Sequence, residues 1–106
     1  MNPNKEQEMI IMNIIIHSGS CRSYSMEAIG LAKEGKLEEA AAELEKASEE
    51  ISAAHKVQTG LIQKEARGER TDVSLMMVHA QDHLMNALVV RDLAREFVHL
   101  YERLGQ

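Results

Sequence analysis

The stretch Leu75 to Leu104, LMMVHAQDHLMNALVVRDLAREFVHLYERL, decides the reading of this chain. Apolar residues recur in it at steps of three and four, the spacing of one helix face. The row Leu75, His79, Asp82, Asn86, Val89, Leu93, Phe97, Leu100, Leu104 is the most regular. All its members are large and apolar except three consecutive ones: a titratable base, a carboxylate and an amide. A seam built for burial does not accept ionisable groups without compensation. Something must neutralise Asp82, and something must use or satisfy His79. A local rule broken this way is where function is expected.

The rest of the chain points to an all-α fold. It has 106 residues, enough for one domain, 1–106, with a modest core. There is one proline, Pro3, and the aromatics are only Tyr24, Phe97 and Tyr101. Ala, Glu, Leu, Met and Lys are good helix formers, and no segment alternates with period two. A first helix is expected from Glu6 to about Lys33, capped by Asn4 with Gln7 as capping-box partner. It is apolar on nearly every side over Met9 to Ile16, which predicts burial between neighbours. Ser18-Gly19-Ser20 is expected to bend it, and Gly35 to stop it.

A second helix is expected from Lys36 or Leu37 to about Arg67. Leu44, Ala47, Ile51, Ala54, Gln58 and Leu61 form its four-three seam. Glu38, Glu39, Glu43, Glu45, Glu49 and Glu50 read as a solvated acidic face. After the break Gly68 to Asp72, a third helix follows, capped by Thr71, Asp72 or Ser74, and continues to about Leu104. Two short connections make an antiparallel, up-down-up three-helix bundle. A second apolar row on the third helix, Met76, Ala80, Leu84, Ala87 and Leu88, leaves more apolar surface than three helices can cover. Self-association is expected, with the third helix near the axis. Copies of Asp82 and Asn86 would then meet, and identical carboxylates need a proton or a cation between them.

Several function classes are disfavoured. The formal net charge of −5 argues against non-specific nucleic-acid binding. The run Met9 to Ile16 contains Asn13 and is far short of the about 20 residues of a membrane span. No basic leader with a small-residue cleavage site opens the chain, so it is expected to be soluble and cytoplasmic, without membrane insertion. The lone Cys21 cannot form an internal disulfide and reads as a small buried side chain. The seven methionines read as core filler, with Met76 and Met85 flanking the polar cluster. His17, His55 and His99 have no ionisable constellation around them in sequence.

The cluster His79, Asp82 and His83 has four chemical readings. The His-x-x-x-His spacing suits zinc, but the Glu of the zinc-protease motif and a third ligand are missing. A di-iron bundle would need inward glutamates that the other helices do not supply. A satisfied core histidine without chemistry is the plain alternative. The fourth is a nucleophilic histidine that takes a covalent group, since a free imidazole, with a pKa of about 6.5, is largely neutral in the cytosol.

The segment Val78-His79-Ala80-Gln81-Asp82-His83-Leu84-Met85 resembles the active-site segment of the lactose/cellobiose class of phosphotransferase-system enzyme IIA proteins, which includes N,N'-diacetylchitobiose-specific members. The resemblance extends over Met9 to Ile16, Ser18-Gly19 through Ala28, the Ala/Glu-rich second helix and the close from Phe97 to Leu104. It implies three-helix subunits in a homotrimer, a nine-helix bundle. It implies that His79 accepts a phosphoryl group from the phosphocarrier HPr and passes it to a cysteine of the cognate IIB protein, which hands it to sugar at the membrane IIC component. It implies that Asp82 binds a divalent cation, Mg2+ by preference, one per trimer on the axis, in keeping with oxygen ligands. Nε2 is the expected phosphorylated atom, because Nδ1 of a helical histidine lies closer to its own backbone. Gln81 and His83, from the same or a neighbouring subunit, are candidate donors to the phosphoryl oxygens. The rival reading is a non-enzymatic oligomeric α-helical interaction module with a structural metal.

Overall fold

The computed structural model describes residues 3–105, which form α1 (Pro3–Lys33), α2 (Leu37–Ala66) and α3 (Leu75–Leu104). No strand occurs among the described residues. The bundle measures 56 × 22 × 19 Å. Contacts fix the directions. His17 of α1 meets Glu50 of α2, Cys21 meets the Ala87 carbonyl of α3, and Ser48 of α2 meets Arg91 of α3. Further along, Gln7 meets Asp72 and Gln58 meets Gln81. Consecutive helices are therefore antiparallel, and α1 and α3 run parallel. α1 packs against both others, and α2 and α3 touch least.

The breaks fall where backbone chemistry requires them. Gly35 has φ +78° and Gly68 has φ +90°, a conformation that side chains resist. Each closes a Schellman motif. Lys36 N–H donates to the Leu31 carbonyl and Gly35 N–H to Ala32; Glu69 N–H donates to Lys64 and Gly68 N–H to Glu65. Of the three candidate caps for α3, Ser74 does the work: its hydroxyl accepts from Met77 N–H at 3.1 Å.

The start of α1 differs from the expectation. The helix begins earlier than Glu6, and the Asn4 cap rests on a side chain outside those described. The Gln7 amide nitrogen donates to the Asp72 carbonyl at 2.7 Å and ties α1 to the α2–α3 connection. α1 continues as helix through Ser18-Gly19-Ser20.

The core forms two clusters. One joins Ile11, Ile14 and Cys21 of α1 to Ala47, Ile51 and Ala54 of α2 and to Met77, Ala80, Leu84 and Ala87 of α3. The other joins Ala28, Ala32, Ala40 and Val98. The expected α2 seam is thus an inward face, with Leu44, Gln58 and Leu61 half-buried at its ends. On α3 the expectation reverses. The regular row of large residues is not the intramolecular seam: Leu75 is 84% exposed, and Val89, Leu93, Leu100 and Leu104 are at least half exposed. The inward face is the second row, built on Ala80, Leu84 and Ala87, though Met76 itself faces out. Small side chains allow close helix approach, so they take the inside, and the bulky row is left outside. Met9, Met12 and Ile16 of α1 are likewise exposed instead of buried between neighbours.

Two measurements check this packing. Leu84 is fully buried, so Leu84→Ala should lower stability by roughly 2–5 kcal/mol in urea unfolding. Ser74→Ala, which removes only a cap, should cost about 1 kcal/mol; the reverse ranking would contradict the inward face. Burial, the main cause, raises the Cys21 thiol above its ordinary 9.0. Cys21 should therefore resist iodoacetamide at pH 8 in the folded protein and react on unfolding. The sign of its pH effect follows. The unfolded chain loses this proton first, so the thiol's contribution is complete below pH 9.0 and falls as pH rises above it. Rapid alkylation of the folded chain would contradict that placement.

Candidate functional site

His79 stands on the solvent-facing side of α3, within the second turn after the Ser74 cap. Its neighbours on the surface are apolar: Met76, Val78 and Leu75 are all exposed. One turn further, His83 is half-buried, and its ring meets His79 edge to face, with centroids 4.5 Å apart and planes at 84°. The two Nε2 atoms are 3.1 Å apart. Two ring nitrogens at that distance share one proton, one donating and the other offering its lone pair. If His83 donates, the His79 ring carries its proton on Nδ1 and presents an unprotonated Nε2. A neighbouring histidine can in this way select the nucleophilic tautomer.

The other singled-out residues are placed differently. Gln81 is two residues from His79, a spacing that puts side chains on different faces. Its Oε1 accepts from Gln58 Nε2 of α2 at 2.6 Å, and its amide nitrogen lies 3.8 Å from Met77 Sδ. Within one chain Gln81 is therefore a strut between α2 and α3 and not a companion of His79. Asp82 is exposed, next to the exposed Asn86 in the apolar row, and makes no ion pair among the described residues. No group of three His, Cys, Asp or Glu side chains able to hold a metal occurs among the described residues. One chain supplies a single hard oxygen donor at Asp82. That donor suits a divalent cation only if copies of the chain supply the remaining carboxylates.

Some polar partners were not legible from spacing. His17 Nδ1 pairs with Glu50 at 2.5 Å, and Arg91 donates to Ser48 at 3.0 Å. The signal for the first was the turn at Gly35: residues nearly equidistant from a hairpin's turn come opposite one another. His55 and His99 are exposed, as expected of residues without a constellation. Among the described residues no helix is long and apolar enough to cross a membrane.

The family profile described as "PTS system, Lactose/Cellobiose specific IIA subunit" matches residues 9–102. The lichenan-specific phosphotransferase enzyme IIA component of Bacillus subtilis (strain 168) is 56% identical, over 97% of this chain and 94% of that protein. The N,N'-diacetylchitobiose-specific EIIA component of Escherichia coli (strain K12) is 40% identical, over 94% of this chain and 86% of that one. The crystal structure of the cellobiose-specific enzyme IIA from Bacillus anthracis superposes with a TM-score of 0.92 at 50% identity, covering 99% of this chain and 94% of that one. The IIA(Chitobiose) subunit in its solution complex with HPr gives 0.82 at 37% identity, covering 93% and 96%. The chain belongs to the lactose/cellobiose-specific IIA family of the phosphotransferase system, a component of sugar uptake.

Proposed function

We propose that this protein is a cytoplasmic phosphoryl carrier in which His79 receives a phosphoryl group from phospho-HPr and passes it to a cysteine of the cognate IIB protein, during uptake of a lactose-, cellobiose- or chitobiose-type sugar. The observation that carries this is the exposed His79 ring, its Nε2 facing His83 Nε2 at 3.1 Å on a rigid helix. A relative caught in complex with HPr supports the choice of donor. The lone pair of His79 Nε2 attacks phosphorus in line with the donor N–P bond. That bond breaks, its electron pair returns to the donor imidazole, and a new N–P bond forms on His79. Nothing is oxidised or reduced, and the transfer reverses toward a cysteine thiolate. Such a step asks the protein for position and charge stabilisation. The His83 N–H, released from the Nε2 lone pair, turns to a phosphoryl oxygen. The exposed apolar surface around His79 suits a docking partner, with Met76, Val78 and Met85 on it.

The assembly belongs to the same reading. Val89, Leu93, Phe97, Leu100 and Leu104 form an apolar row larger than a monomer leaves uncovered, and a homotrimer with α3 near the axis covers it. Asp82 of each copy then approaches its mates, and the three carboxylates would hold a divalent cation, Mg2+ by preference. When bound, that cation offsets charge repulsion on the axis. Gln81 enters the site only from a neighbouring copy or after leaving Gln58.

Two experiments test these assignments. With phosphoenolpyruvate, the first enzyme of the system and HPr, the parent should take up one acid-labile, base-stable phosphoryl group. His79→Gln should fold and associate normally but take up none; His83→Gln should still be phosphorylated, up to about 10²-fold more slowly. Stoichiometric uptake by His79→Gln would move the acceptor to His83, and none by the parent would favour the structural module. Asp82→Leu should lose the bound metal while self-association is kept or strengthened, because an apolar cluster replaces desolvated charge. Full metal content in Asp82→Leu would place the ligands elsewhere.

A further inference from the structure

A groove of about 660 Å³ runs between α1 and α3 beside His83, and the transfer step above makes no use of the α1 side chains that line it. Ser18, Arg22 and Ser23 of α1 face His83 and Asn86 of α3 across it. No carboxylate lines it. Arg22 is exposed and makes no ion pair or hydrogen bond among the described residues, in a chain where acidic side chains outnumber basic ones. Ser18 is 1% exposed, and its hydroxyl has no hydrogen-bond partner. A buried, unsatisfied hydroxyl costs about 1–3 kcal/mol, so an orphan beside a cavity signals a partner from outside the chain. A guanidinium, two hydroxyls, an amide and an imidazole together make a donor-rich set without a competing anion. That set recognises an oxyanion, and arginine suits phosphoryl oxygens in particular.

The helix register brings the groove to the reacting atoms. Cys21 Sγ lies 3.8 Å from the Ala87 carbonyl, so Arg22 sits level with the turn of α3 just beyond His83. Helical side chains lean toward their N-terminus, which carries the Arg22 guanidinium back toward His83. His83 in turn touches His79. We propose that this groove is an oxyanion site that receives the phosphoryl group in transit to and from His79, with Arg22 as its countercharge; the inference rests on the phosphoryl-carrier reading. Arg22 neutralises charge on the phosphoryl oxygens as the N–P bond of the donor breaks and that of His79 forms, and Ser18 donates its otherwise unused hydrogen. No proton or electron is exchanged with either residue.

The test is the rate of phosphoryl transfer from phospho-HPr to the parent, Arg22→Gln and Arg22→Lys, with thermal unfolding and association state as controls. Arg22→Gln should fold and associate as the parent does and transfer on the order of 10²-fold more slowly. Arg22→Lys should recover part of that loss, because the charge returns without the planar fork. A 31P titration of the phosphorylated proteins supplies a readout that a merely structural role would not move. Loss of the countercharge should shift protonation of the phosphoryl oxygens to higher pH in Arg22→Gln. Parent-like transfer with an unchanged 31P titration would overturn the proposal. Loss of self-association in Arg22→Gln would also overturn it, by making Arg22 a contact between copies. Failure of the parent to be phosphorylated at all would bring down the carrier reading itself, whereas a slow variant beside a normal parent bears on the groove alone.

Discussion

The close approach of α3 to its neighbours across Ala80, Ala87 and Ala94 is the constraint on which the rest of the molecule depends. All three alanines are buried, and with Leu84 they make most of the inward face of α3. Small residues let the helix lie flat against the bundle. They also fix its rotation about its own axis, which determines what faces outward: the row carrying His79, Asp82, Asn86 and the large residues from Val89 to Leu104. Rotating α3 to bury that row would place a histidine, a carboxylate and an amide in an apolar core, at a cost of several kcal/mol for an unpaired charge. Packing and chemistry thus select the same orientation. The histidine pair is displayed, on a helix held by the core beneath it, to whatever docks there.

That rotation explains why the sequence was legible in one respect and misleading in another. Three helix ends could be read closely because each has a local chemical cause: positive φ at Gly35 and Gly68, and a hydroxyl cap at Ser74. The α2 seam through Ala47, Ile51 and Ala54 was also legible, since its opposite face is plainly acidic. On α3 two apolar rows compete, and size pointed to the wrong one. Leu75, Leu93 and Leu100 look like core residues, but the intramolecular core uses the smaller row, and the larger residues stay exposed. Periodicity identifies a face; it does not say whether the partner of that face is in the same chain.

The candidate site divides along the same line. His79 and His83 are four apart on one helix, so their meeting was written in the spacing. The place of Gln81, two residues from His79, already set it on another face; its partner Gln58 was not legible, because it comes from α2 and only the register of the α2–α3 hairpin brings the two together. The groove beside His83 had still less signal. Ser18 belongs to a stretch that reads as a weak point in a helix, Arg22 and Ser23 show no pattern of their own, and the three are brought to one groove only by the parallel packing of α1 on α3. Residues that act through one helix are visible in sequence, and residues that act across two are not.

The central claim is that the Nε2 atom of His79 carries the phosphoryl group. A long-range 1H–15N correlation spectrum of the phosphorylated, 15N-labelled protein tests it directly, since a phosphorylated ring nitrogen shows a characteristic shift and a coupling to phosphorus. That signature is expected on Nε2 of His79 alone, with the His83 ring perturbed but unphosphorylated. A phosphorus coupling on His83, or on Nδ1 of His79, would contradict it.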